Sequence, residues 1–280
     1  MDTKILTGDA RIDVVRLDTI SLKRLESGNT DEFAKLLSAA QSVGVFQLDF
    51  QGSEFGDVLW ERVGEIYYAT QQYFDQDARL KQEDMRVDQK PSQDKGYKFC
   101  ESDETFEMAY DELVKGDLKL PETLHHSRYT MKYFSEICHS AGLTILRSLS
   151  IALPASLPFE DAHRKGKSSD SGLKIISEPC IEDRSKVIEN KHTDSGSLTF
   201  SFYNDWGIHV QLRDGSWGYT AAVEGCAVIN VADSLEWLSD GKLRSPLHRV
   251  TQPTDGAKKR YFLTYFLRPE YTFKDLGRRA

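Results

Sequence analysis

Residues His192 to Pro269 read HTDSGSLTFSFYNDWGIHVQLRDGSWGYTAAVEGCAVINVADSLEWLSDGKLRSPLHRVTQPTDGAKKRYFLTYFLRP, and this stretch decides the fold. Short runs rich in β-branched and aromatic residues recur along it. They are Ser197–Tyr203, His209–Leu212, Trp217–Ala221, Cys226–Val231, Arg249–Gln252 and Arg260–Leu267. Gly, Asp, Asn and Pro punctuate them. A further strand is expected just upstream, at Leu173–Ser177. Many short strands with frequent turns predict a sandwich or barrel.

Upstream the grammar changes. From Asp31 to Val43 the apolar residues Phe33, Leu36, Leu37 and Ala40 recur at helical spacing, with Ser27 and Asn29, together with Asp31, offering N-cap chemistry and Gly44 placed to stop. Val45–Leu48 reads as a short strand, and Arg11–Leu17 as another. Val58–Phe74 and Tyr129–Leu153 repeat the helical pattern, the second stopping before Pro154. Lys81–Lys95 is polar and reads as a loop. Glu160–Gly172 is charged and rich in Ser and Gly, so it reads as a surface loop with His163 exposed.

The chain has 280 residues, of which 36 are Lys or Arg and 44 Asp or Glu, for a net charge of −8. An acidic balance argues against a nucleic-acid binder, which needs a basic stripe to displace counterions. No apolar run reaches the length of a membrane-spanning helix, and Met1–Asp13 has no apolar core of the signal-peptide kind. Cys100, Cys138, Cys180 and Cys226 form no CxxC pair and are expected to be reduced, mostly buried thiols of a cytoplasmic protein.

His192 and Asp194 lie two residues apart, which on an extended segment places both on one face. An imidazole and a carboxylate can there converge on one ion, and His248 is the candidate third ligand. Two histidines and one carboxylate on one face of an octahedron leave three positions open, the facial triad of non-haem Fe(II) oxygenases. An HxD triplet alone is weak, because chance supplies it often.

The context of the triplet is specific. HTDSGSLTF, GIHV, AVINVAD, SPLHRV and RYFLTYFLRP follow one another, from Ile188 to Pro269, in an order and spacing that resemble the isopenicillin-N-synthase-like Fe(II)/2-oxoglutarate dioxygenases. GVFQL, YFDQDARLK and Asp94-Lys95-Gly96-Tyr97 in the N-terminal half resemble the family more weakly. The resemblance implies a mainly β fold with a helical buttress, a double-stranded β-helix or jelly roll. It implies a single domain over 1–280, with 1–160 helical and 173–270 the jelly-roll core. Fe(II) would be held by His192, Asp194 and His248. 2-Oxoglutarate and O2 would be co-substrates, and Arg260 would grip the distal carboxylate of 2-oxoglutarate. An arginine suits that task because its planar fork pairs bidentately and stays charged. A small organic molecule would be hydroxylated, desaturated or rearranged in specialised metabolism. No nucleic acid or membrane partner is expected, and the chain would be a monomer or a weak homo-oligomer.

Two departures stand out. Phe262 occupies the place of the family's serine beside the arginine, and Thr264, on the same strand face, is the candidate substitute. Leu173–Pro179 lacks the family's Asn and Tyr before the iron loop. These leave open an oxidase of the isopenicillin-N-synthase kind, which uses no 2-oxoglutarate. A non-catalytic binding or sensor protein on the same fold is a third reading, against which the intact triad argues. Asp233 reads as a structural residue of the turn after a buried strand. His125 and His126 read as a solvated helix start, His139 as structural, and His209 as packed or solvent-facing.

Overall fold

The computed structural model describes residues 2–5, 11–89, 93–100, 102–154, 157–179, 191–249 and 258–273. The chain opens with β1 (Asp2–Ile5), β2 (Arg11–Val14) and β3 (Thr19–Ser21), then α1 (Leu22–Glu26), α2 (Thr30–Ser42), β4 (Val45–Asp49), α3 (Gly56–Phe74) and α4 (Ala78–Gln82). A hairpin of β5 (Gly96–Phe99) and β6 (Glu104–Ala109) follows, then α5 (Tyr110–Lys115), α6 (Glu122–His125) and the long α7 (Arg128–Ala152). The remainder is mostly strand: β7 (Gly172–Pro179), β8 (Leu198–Phe202), β9 (Trp206–Gln211), β10 (Trp217–Ala221), β11 (Cys226–Val231), β12 (His248–Arg249) and β13 (Lys259–Leu267), with α8 (Asp233–Leu238) inserted after β11.

The strands form two sheets. One has the order β1-β2-β10-β9-β12, the other β3-β4-β11-β8-β13-β7-β6-β5. This is the expected double-stranded β-helix with its helical buttress. Alternation along β13 shows how the layers are built, since successive side chains point to opposite faces. Leu263, Tyr265 and Leu267 are fully buried in the main core, together with Phe134, Ile145 and Leu149 of α7. Arg260, Phe262, Thr264 and Phe266 have the opposite parity and turn toward the other sheet. β8 repeats the pattern, with Phe200 and Phe202 in the helix-side core and Thr199 and Ser201 on the inner face.

The helical periodicity places α2, α3 and α7 within two residues of their observed ends. Asn29 caps α2, its Oδ1 accepting from the Glu32 amide at 2.9 Å. Gly44 ends it in the left-handed region, at φ +76°, and a Cβ there would lie 2.1 Å from the Arg244 carbonyl oxygen. Gly44→Ala is expected to cost about 2–4 kcal/mol by strain and overpacking, read as a lower urea midpoint with an unchanged slope.

The Glu160–Gly172 segment departs from its expected character. Residues Phe159–His163 form a 3-10 turn packed beside α7, and Phe159, Ala162 and His163 are buried. His163 is therefore not exposed: its Nε2 lies 3.0 Å from Ser197 Oγ. Burial pushes its pKa down to about 3, so the ring is neutral. A charged composition concealed one apolar turn. The first strand is β1, upstream of the expected one. The hairpin β5–β6 and the helices α1, α5, α6 and α8 are short and carry weak periodicity. Arg249–Gln252 extends beyond the described residues, where β12 covers its first residue and His248. Cys100, Cys138 and Cys226 are free thiols, but only Cys138 is buried as expected, Cys226 being half-buried and Cys100 exposed, and Cys180 lies outside the described residues.

Candidate metal centre

The loop before β8 carries His192 and Asp194, and β12 carries His248. Reciprocal backbone hydrogen bonds join His192 to His248, at 3.0 and 2.9 Å. Asp233, at the start of α8, ties the two arms together. Its carboxylate accepts from Thr193 Oγ1 (2.9 Å) and from Ser245 Oγ (2.7 Å). Its amide donates to the Asp194 carbonyl at 2.8 Å. Asp233 is thus a bracing residue rather than a ligand. Gly196 completes the loop: a Cβ there would meet the Leu267 carbonyl oxygen at 2.8 Å.

One ligand atom from each of His192, Asp194 and His248 lies within 4.8 Å of the others. The two imidazole Nε2 atoms stand 3.8 and 3.7 Å from Asp194 Oδ1, too far for hydrogen bonds. Asp194 Oδ2 is buried without a hydrogen-bond partner. His248 Nδ1 sits 3.1 Å from the Pro246 carbonyl, which fixes the proton there and leaves the Nε2 lone pair for a metal. Burial lowers the pKa of His248, against the pull of Asp194, so the ring favours the neutral, ligating form. Three donors gathered within 4.8 Å, with an orphaned carboxylate oxygen on one of them, fit a 2-His-1-carboxylate iron site.

A cavity of about 430 Å³ between the two sheets adjoins the triad. Its wall includes Thr199, Ser201, Asn230, Thr264, Lys174 and Phe266. Ser201, Thr264, Lys174 and Glu107 stand side by side in register on β8, β13, β7 and β6. Thr264 therefore lies in the metal cavity. Arg260 is buried at 7% exposure but lines a second cavity of about 130 Å³, shared with Tyr203, Trp206 and Phe262. It stands opposite Glu178 in the ladder. Phe262 separates Arg260 from Thr264 along their common strand face.

The remaining histidines have structural surroundings. His139 stacks on Tyr110 at 4.6 Å and lies 2.9 Å from the Tyr265 hydroxyl. His209 stacks on Tyr219 at 4.3 Å and accepts from Arg249 Nε at 3.0 Å. His125 and His126 are exposed. Sequence reasoning missed Asn230, Thr199 and Lys174. Asn230 carried a signal, as the one polar residue in the buried strand CAVINV.

The site is that of a mononuclear non-haem iron enzyme. Residues 169–269 match the 2OG-Fe(II) oxygenase superfamily. The 2-oxoglutarate-dependent dioxygenase frbH of a Dothideomycetidae species is 32% identical over 276 residues, covering 92% of this chain and 84% of the relative. The 2-oxoglutarate-dependent dioxygenase gloE of Glarea lozoyensis is 32% identical over 279 residues, covering 94% and 83%. The fold matches that of dioxygenase for auxin oxidation 1 from Arabidopsis thaliana, solved with 2-oxoglutarate, at a TM-score of 0.73 and 18% identity over 92% and 94% of the two chains. The chain belongs to the 2OG-Fe(II) oxygenase superfamily. It is an oxidoreductase that uses Fe(II), 2-oxoglutarate and O2. No helix among the described residues is long and apolar enough to cross a membrane.

Proposed function

We propose that this oxygenase holds its iron on His192, Asp194 and His248 and hydroxylates, desaturates or rearranges one small organic molecule of specialised metabolism. The observation that carries the ligand assignment is the convergence of both imidazole Nε2 atoms on Asp194 Oδ1, at 3.8 and 3.7 Å, with Asp194 Oδ2 buried and without a hydrogen-bond partner beside the cavity. Bound there with 2-oxoglutarate, the metal supplies O2 activation coupled to decarboxylation of the co-substrate to succinate and CO2. The protein orients and encloses. Asp233 braces both arms of the triad, and the Pro246 carbonyl holds the His248 proton away from the metal.

Thr264 and Arg260 of β13 would hold the distal carboxylate of 2-oxoglutarate. The shared strand face supports this reading. Phe262 in the serine position would remove one hydrogen bond to that carboxylate. Anaerobic titration of the Fe(II) protein with 2-oxoglutarate, followed by its weak visible charge-transfer band, tests it. Arg260→Met is expected to raise the dissociation constant by about tenfold or more, the worth of a charge-assisted contact. An unchanged constant assigns the anchor elsewhere.

The continuous core joining helices to the larger sheet supports one domain over 1–280, but the expected division into a helical 1–160 and a jelly roll at 173–270 is corrected by the strands: β1–β6 of the N-terminal part belong to both sheets. The unpaired described cysteines support a cytoplasmic setting. A monomer or weak homo-oligomer, without nucleic acid or membrane partners, completes the reading.

A further inference from the structure

The cavity beside the triad has a wall that the iron chemistry does not use. Along it stand Lys98, Lys174, Asp94 and Asp103. Lys174 is 13% exposed at its side chain, and its Nζ lies 3.0 Å from Glu107 and 3.4 Å from Asp94. The same ammonium sits 5.3 Å from the centre of the Phe266 ring. Lys98 also pairs with Asp94, so one carboxylate serves two ammonium groups. Lys98 and Asp94 are 41% and 51% exposed at their side chains. Ion pairs that open to water contribute little and exchange partners readily.

A second observation is independent of these charges. Asn230 Oδ1 and Thr199 Oγ1 line the same cavity, 1% and 3% exposed as residues, and neither atom has a hydrogen-bond partner. The two residues face each other directly across β11 and β8. Buried polar atoms are normally satisfied, and an unmade bond costs free energy that a matching ligand restores. An apolar ligand would instead strip water from two ammonium groups and two carboxylates without replacing it.

We propose that the substrate is a small zwitterion of the free α-amino-acid class, its carboxylate seated on Lys174 and Lys98, its ammonium on Asp94 and Asp103, and its far end directed past Phe266 to Asn230 and Thr199. This rests on the oxygenase reading and specifies its substrate. Each ligand charge replaces one that the wall residues lend each other: the carboxylate takes Lys98 from Asp94, and the ammonium takes the Asp94 so released. None of these four charges is stranded. Burial pulls the Lys174 ammonium down, but Glu107 and Asp94 outweigh it and hold its pKa above the usual lysine value. Burial also works against the Asp94 carboxylate, and Lys174 and Lys98 outweigh it, so that group stays ionised.

The test is an anaerobic titration of the Fe(II) and 2-oxoglutarate complex with each protein amino acid. Matched acids lacking the amino group, matched amines lacking the carboxylate, and neutral aromatic compounds are titrated alongside. The readout is the shift of the visible band on binding. At least one amino acid is expected to shift it saturably, and both of its truncated partners to bind about tenfold more weakly or worse. Lys174→Met is expected to lose the amino-acid response while keeping its 2-oxoglutarate affinity. Lys98→Ala, at an open position that leaves the buried pairs intact, is expected to weaken the same response, and decides the matter if Lys174→Met fails to fold. Three results overturn the proposal: no amino acid shifts the band, a neutral aromatic shifts it equally well, or Lys174→Met weakens 2-oxoglutarate binding instead. A wild-type protein that shows no band with Fe(II) and 2-oxoglutarate overturns the oxygenase reading and this proposal with it.

Discussion

Asp194→Ala is expected to abolish 2-oxoglutarate-dependent turnover and to lower Fe(II) affinity by more than about a hundredfold. Loss of an outer partner of a metal ligand alone costs roughly 10–100-fold, and Asp194 would contact the ion itself. It is also the one anionic member of the three-residue cluster, so its removal takes away the charge that offsets a divalent cation. The remaining imidazoles keep their places, because the His192–His248 backbone pair and the Pro246 carbonyl hold them. The variant is therefore expected to fold and to fail at the metal. Succinate formation with the native substrate, together with Fe(II) binding by equilibrium dialysis, checks this. Full activity in the variant would refute the ligand assignment and the enzyme reading together.

Glu107→Gln is expected to produce the largest loss of stability, about 3–5 kcal/mol, the usual consequence of removing one partner from a buried charge cluster. Glu107 is 2% exposed. One carboxylate oxygen accepts from Lys95 at 2.8 Å and from Arg268 at 2.7 Å. Lys174 lies 3.0 Å from the other oxygen, which has no hydrogen bond, so that attraction is coulombic. The glutamine fills the same space but leaves three cations around a neutral amide. A fall in Tm of roughly 10 °C follows from that free energy for a chain of this size. The sign of the pH dependence is also set. Burial resists ionisation of Glu107, but Arg268, Lys174 and Lys95 outweigh it and hold its pKa well below the usual carboxylate value. A depressed carboxyl adds stability that is complete above the unfolded pKa of about 4.3 and is lost as pH falls through the folded value. The Tm gap between wild type and Glu107→Gln should stay constant from neutral pH down to about 4.3 and narrow below it. Thermal unfolding across that range measures it.

Both residues differ in how openly the sequence announced them. Asp194 stands in HTD, inside a long ordered pattern. Glu107 stands in ETFEMA, where nothing marks a charge about to be enclosed. Its partners Lys95, Lys174 and Arg268 come from three separate segments, and only the pairing of β5 with β6, of β6 with β7 and of β7 with β13 gathers them. The hairpin β5–β6 was missed for a related reason. Its inner face bears Lys98, Thr105 and Glu107, which alternate with Tyr97, Phe106 and Met108 over strands of only four and six residues. His163 shows the converse error, where charged neighbours hid a buried ring that Ser197 satisfies.

By itself the sequence determined the strand-rich C-terminal half, the three long helices, the triad with its order along the chain, and through these the superfamily. Those features are local. They depend on periodicity within one segment or on spacing within one motif, and both survive being written as a line. Only the tertiary structure decided which polar side chains share a cavity. It put Thr264 in the cavity beside His192, Asp194 and His248 and Arg260 in a neighbouring cavity beyond Phe262. It also turned Asn230, Thr199 and Lys174 inward beside the triad. Residues on four different strands meet in one row because ladder register brings side chains from distant segments to within about 5 Å of one another, and register belongs to the sheet rather than to any strand within it.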